Sequence, residues 1–454
     1  MSRPADNILG TLPVPKLVWT MSSPIMLSML MSAIYNLVDS IYVAQVSELD
    51  FLALSYAYPV QLMMVAFCAG TGVGFNALFA QRLGAGQKEE ANRVACHGFL
   101  FYGLCWLLFL AFALLGTPLF FRLSTGDGAV AAAGTSYLVI CCGLSIGMCM
   151  QFLTERLLQT TGHPAGFMVV QGSGAILNIV LDPVFIFGLD MGVVGAAVAT
   201  VIGQFCGAGM TLYFNLNKNP DIQISFRGFR PSAKAIGRIY TVGLPSIAMQ
   251  CVGSVMTFFM NQILMAFSAT AVAVFGVYFK LQSFVFMPIF GMNNGMVPII
   301  SYNYGARKPE RVKKTIRLAV FYAECIMLVG FCIFQFLPDK LLGLFAASDA
   351  MLAIGVPALR IICPHFLLAG AGIVLSSVFQ ALGNGVFSLT VSICRQLVVL
   401  IPAAWLLSRT GEVNMVWWAF IIAEVVSLAL SLVFMARINR TVIVPLSEKQ
   451  DAAV

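Results

Sequence analysis

The sequence predicts an all-α polytopic membrane protein, with twelve transmembrane helices in two six-helix pseudo-symmetric lobes. Three observations carry this. Of the 454 residues, 59% are hydrophobic and only 10% are charged, whereas a soluble domain holds about 25% charged residues. Apolar runs long enough for a helix to cross a bilayer (about twenty residues) recur along the whole chain. The chain also repeats itself without a gap. Pro24 and Pro245 stand 221 positions apart, and the same offset joins Gln61 to Gln282, Gly70 to Gly291, Gly74 to Gly295, Gly84 to Gly305, Glu89 to Glu310, Gln159 to Gln380 and Gly162 to Gly383.

The elements follow in order. Residues 1–16, "MSRPADNILGTLPVPK", are polar and proline-containing, without the apolar core of a cleavable signal peptide. They read as a cytoplasmic segment. The N-lobe, 17–216, holds six apolar runs near 17–45, 52–79, 94–116, 129–154, 164–188 and 192–216, separated by short stretches rich in glycine, proline and charge. Helix 1 contains Pro24, which should kink it and is a candidate hinge. A basic linker, 217–236, contains "KNPDIQISFRGFRPSAK". The C-lobe, 237–437, repeats the pattern near 237–267, 270–301, 316–337, 350–381, 385–407 and 414–437, before a tail at 438–454. Runs well beyond twenty residues must tilt, bend or project from the bilayer. An even number of helices per half makes the repeats parallel, with a substrate path expected between them.

Charge sets the expected orientation. With the N-terminus inside, the cytoplasmic segments collect most Lys and Arg, including Arg82, Arg93, Arg156, Lys218, Arg307 and Arg437, while the outer loops hold Arg122, Lys340 and Arg409. The positive-inside rule then places both termini in the cytoplasm. This also accounts for the net charge of +7 without a nucleic-acid partner. The twelve cysteines form no CxxC pair and lie mostly in apolar runs, so they read as small buried hydrophobes. No Walker A sequence is present.

Three stretches carry a family resemblance: "YNLVDSIYV" in helix 1, "ILNIVLDPVFIFGLDMGVVGAAVAT" across helices 5 and 6, and "SYNYGARKPERV" after helix 8. Together the chain resembles the multidrug and toxic compound extrusion (MATE) transporters, of the DinF-like and MepA-like bacterial branch, from about residue 14 to 437. The resemblance implies a MATE/MOP-type fold and a secondary antiporter in the bacterial cytoplasmic membrane. It further implies export of amphipathic, often cationic, small molecules against inward H+ or Na+ flow, with no cofactor, no enzymatic activity and a monomeric state.

Asp182 stands inside an apolar run, where an ionised carboxylate costs roughly 2.5–3.5 kcal/mol even on lenient scales. It lies six residues before the expected outer end of helix 5; Asp39 lies six before that of helix 1, and Thr200 eight inside helix 6. All three are therefore about 9–12 Å from the outer ends. Asn178 is one turn from Asp182, and Pro183 leaves the Ile179 carbonyl without its helical donor. Such oxygen atoms suit a hard cation, and two carboxylates crowded in low dielectric hold a proton. Beyond a Na+ at that site, no metal is expected. The family's N-lobe cation site uses these positions, so the resemblance carries over to Asp39, Asn178, Asp182 and Thr200, with Tyr35 as a weaker addition. The bland alternative is that both acids cap helices or reach toward the outer interface.

The C-lobe lacks a copy of that site, because Met260 stands where Asp39 would repeat. Instead Lys280, Glu324, Arg395 and Glu424 each fall well inside a helix and are expected to be buried. Pairing among them is the structural reading, with substrate recognition or a proton relay as the alternative and the partner of Arg395 open between Glu324 and Glu424. His97, His163 and His365 are lone histidines that read as satisfied polar groups. A lipid-linked oligosaccharide flippase of the same superfamily is the second functional reading. An intramembrane enzyme is third, since no nucleophile–base pair presents itself.

Overall fold

The computed structural model describes residues 7–44, 48–125, 127–222, 226, 229–345 and 348–446, without the side chains of 35–44, 48, 50–52 and 55. Among the described residues the chain is helical throughout, with twelve long segments. Helix 1 is Val14–Ala44, helix 2 Glu48–Gly84, helix 3 Lys88–Ser124, and helix 4 the bent pair Gly128–Gly143 and Ile146–Thr160. Helices 5 and 6 are Pro164–Gly188 and Gly192–Lys218. Helices 7 to 12 are Ala233–Met265, Ala269–Gly305, Pro309–Phe336, Asp349–Ala381, Gly385–Ser408 and Val413–Leu446. The outward faces are those of a membrane protein: on helix 3, Leu115 and Leu123 are 79% and 80% exposed.

Breaks in the helices are satisfied locally, as lipid requires. Helix 4 bends by 42° at Leu144 and Ser145. There Ser145 Oγ donates to the Cys142 carbonyl (2.7 Å) and Trp106 Nε1 to the Gly143 carbonyl (3.0 Å). Helix 4 runs on to Thr160, six residues beyond the expected end, and this draws Glu155 and Arg156 into the protein. Arg156 is therefore not the cytoplasmic surface charge that the sequence suggested.

Each half has its own apolar core, one built from residues between Ala57 and Ile239 and the other from Met256 to Ile443. Helix 1 packs along helix 8, helix 2 along helix 7, and helix 2 along helix 8. The 221-residue repeat reappears in these contacts. A Cβ on Gly70 would strike Ile247 and one on Gly291 would strike Met26; Gly74 faces Ile239 and Gly243, and Gly295 faces Met21 and Ser22. At one end of the bundle a Cβ on Gly84 would land on the Tyr302 carbonyl oxygen, and one on Gly305 on that of Gln81. Only glycine lets the two backbones approach so closely. That end is sealed.

A short helix, Ile8–Thr11, lies across the seal. Asn7 Nδ2 donates to the Thr161 carbonyl (3.0 Å) and to Asp221 Oδ2 (2.7 Å), both on the N-lobe side. On the C-lobe side, Leu9 O accepts from Asn303 Nδ2 (2.9 Å) and Arg311 Nη2 (3.2 Å), Gly10 O from Lys308 Nζ (3.0 Å), and Leu12 O from Arg311 Nη2 (2.7 Å). The linker is tied back as well: Ser232 N–H donates to His97 Nε2 (2.8 Å), whose Nδ1 donates to the Arg93 carbonyl (2.7 Å). His97 is thus the satisfied polar group expected of a lone histidine.

Candidate functional site

Asp182 sits on helix 5 immediately before Pro183, after which the helix widens into a π-turn, Val184–Gly188. Its neighbours Val180 and Val184 are 56% and 48% exposed, whereas Asp182 is 2% exposed. The valines take the outer face, and the carboxylate is turned into the lobe. Asn178, one turn earlier, lies against helix 6, where a Cβ on Gly203 would meet its Oδ1 at 2.7 Å. Thr200 is half-buried and one turn from Gly203. Helix 5 packs on helix 1 as well, with Met31 Cε next to Gly172. The side chains of Asp39 and Tyr35 lie outside the described residues, although both positions are helical. Pro24 lies within the unbroken helix 1, at its seam with helix 8.

A cavity of about 600 Å³ opens in the other lobe, away from Asp182. Helices 7, 8, 10, 11 and 12 form its walls, and Val73, Asn76 and Arg156 of the N-lobe contribute to its lining. Those N-lobe residues lie in the portions of helices 2 and 4 nearer the sealed end. Phe279, Phe286, Phe290 and Phe420 give it aromatic surface.

The charges of this lobe divide. Arg395 pairs with Glu424, Nη1 to Oε2 at 3.5 Å, and both line the cavity. Arg395 is 30% exposed and Glu424 is buried. Arg395 stands in a π-turn of helix 11, Cys394–Leu400; such widened turns are frequent at functional sites. Glu324 is only half-buried and accepts the Ala371 N–H (2.7 Å), tying helix 9 to helix 10. Lys280 corrects an expectation: its side chain is exposed, because position 280 turns to the outside of helix 8 while Phe279 and Gln282 on either side face the cavity.

Sequence reasoning missed the N-lobe pair Glu155 and Arg156. Arg156 Nη1 donates to Gln159 Oε1 and to Asn294 Oδ1 (both 2.9 Å), the second across the lobe boundary. Glu155 accepts from Gln151 Nε2 (2.8 Å) and Gln171 Nε2 (3.1 and 3.2 Å). The repeat offset contained a signal, since Gln159, which accepts from Arg156, aligns with Gln380, which lines the cavity. His365 lines the cavity too and donates Nδ1–H to Ile362 O (2.7 Å). Among the described residues, three or more His, Cys, Asp or Glu side chains nowhere gather as a metal site.

Comparison with known proteins agrees with the two-lobed helical fold. The MatE family model matches residues 24–184 and 245–406, two segments that start 221 positions apart. The multidrug export protein MepA of Staphylococcus saprophyticus is 26% identical over 427 residues, covering 93% of this chain and 94% of that protein. Among solved structures, an outward-facing multidrug resistance MATE family transporter of the MOP superfamily superposes with a TM-score of 0.90 at 26% identity, covering 99% of this chain and 100% of that one. A MATE protein in a straight conformation gives 0.91 at 27%, covering 98% and 100%.

Proposed function

The chain belongs to the MatE family, and on that premise we propose that it is a cation-coupled antiporter that exports amphipathic small molecules, cations among them, across a bacterial cytoplasmic membrane. The sealed end carries Arg82, Arg307, Lys308 and Arg311, so the positive-inside rule makes it cytoplasmic. The cavity then opens outward. Coupling ion and cargo occupy different lobes: the ion binds at Asp182, Asn178 and Thr200, completed by Asp39, and the cargo binds in the C-lobe cavity. The observation that carries this is the inward-turned, buried Asp182 on a helix whose neighbouring positions face out. A buried carboxylate in a lobe that must move gives the ion a differential affinity for two arrangements, which alternating access requires. The curated relatives are exporters, and the flippase reading is set aside.

The test is efflux of fluorescent amphipathic dyes, one purely cationic and one that also carries an anionic group, from vesicles holding purified protein, under a pH gradient alone and then a sodium gradient alone. Export should follow one gradient and vanish in Asp182→Asn, which keeps volume but removes the charge. Wild-type export by Asp182→Asn sinks the coupling role; no export under either gradient sinks the antiporter.

A further inference from the structure

The cavity does not have the charge expected of a site for simple cations. Two guanidinium groups line it, Arg395 and Arg156, against one carboxylate, Glu424. Glu155 faces Gln151 and Gln171 and is not among the lining residues. Neither arginine is used up. Arg395 makes one long contact through Nη1, and Arg156 uses only Nη1, so Nε and Nη2 of each have no acceptor among the described residues. Charge-assisted bonds normally close to 2.7–2.9 Å, so 3.5 Å between Arg395 and Glu424 is a loose pair. Acceptors are equally idle: Oε1 of the buried Glu424, Oε1 of Gln282 and Oδ1 of Asn293 have no donor among the described residues, and all three residues line the cavity. Those three oxygens are closed off from the cavity space, so the groups open to a ligand are the spare guanidinium nitrogens, with the Glu424 carboxylate close behind them.

Resting on the exporter reading above, we propose that this cavity selects amphipathic molecules carrying an anionic group beside a cationic or donor-rich one. The anion docks on Arg395, with Arg156 as a second positive group, and the donor meets Glu424. The phenylalanines cover the apolar body.

A matched dye pair tests this: a rhodamine with a free carboxylate, and its methyl ester, which keeps the ring cation and loses the anion. Binding to purified protein is read by fluorescence polarisation. The free acid should bind at least about tenfold more tightly than the ester, as one charge-assisted contact predicts. Arg395→Met should bring the ratio to within about twofold. Arg395→Gln combined with Glu424→Gln, which leaves no stranded carboxylate, should do the same, and Arg395→Lys should retain part of the preference. Equal or tighter binding of the ester, persistence of the preference in both Arg395-neutral proteins, or binding of neither dye overturns the proposal. Transport is read separately. Preferential binding of the acid without gradient-driven export would sink the antiporter reading and leave this one; export of the ester without any preference would do the reverse.

Discussion

Removal of the Asn7 amide should open the sealed end of the transporter. Asn7 holds the Ile8–Thr11 helix to the N-lobe through two hydrogen bonds, one to a backbone carbonyl and one to the carboxylate of Asp221. The rest of that helix is held by Asn303, Lys308 and Arg311 of the C-lobe. A neutral bond contributes about 1 kcal/mol and one to a charged group about 1.5–3. Both are part-buried, so the lower values apply and the staple contributes about 2.5 kcal/mol. Asn7→Ala should therefore shift the sealed-to-open equilibrium by about 60-fold, at about 1.4 kcal/mol per decade. The assay is electron–electron resonance between spin labels at Glu89→Cys and Glu310→Cys, exposed positions related by the repeat at the sealed ends of the two lobes. The exposed Cys206, Cys251 and Cys325 are first replaced by Ala. A longer separation should gain population in Asn7→Ala and more in Asn7→Ala with Arg311→Ala. Identical distance distributions in wild type and both variants refute the idea that this helix bridges the lobes to hold the seal.

Gly84→Ala and Gly305→Ala place a methyl group on a backbone carbonyl of the opposite lobe, and each should weaken the seal by about 1–3 kcal/mol; the same label pair reads it, and unchanged distances count against the seam. Arg395→Ala leaves Glu424 buried and alone, so folded yield should fall, while Arg395→Met with Glu424→Met should recover it. Recovery with Glu324→Met instead would mean that the wrong partner was identified. Cysteines placed in 229–234 or 307–314 should react only from the cytoplasm, and one at Glu412 only from outside; labelling of both sets from one face ends the orientation.

Hydropathy and the repeat made the twelve helices readable because both record burial in lipid along the chain axis. They do not record which way a side chain turns around that axis. Lys280 lies deep in helix 8 by position, yet neighbours one and two residues away face the cavity and it does not. Thr154-Glu155-Arg156 reads locally as a polar helix end; it is internal because Gln171 of helix 5 and Asn294 of the other lobe supply partners beside Gln151 of the same helix. The choice of Glu424 over Glu324 for Arg395 likewise depends on how helices 9, 11 and 12 pack. For Asp182, depth was legible from the sequence and facing was not; the exposed valines on either side resolve it.

At its narrowest points the seam between the halves meets backbone to backbone, glycine Cα against peptide carbonyl. Such a joint has no side-chain identity to preserve. The cavity wall, in contrast, is lined mostly by residues with side chains, phenylalanines, glutamines and arginines among them. On the exporter reading, changes in what is carried can therefore accumulate at Gln282 or Phe290 without touching the glycine seam. On that reading, new specificities would be reached by single substitutions in the wall that leave the backbone joint between the halves intact.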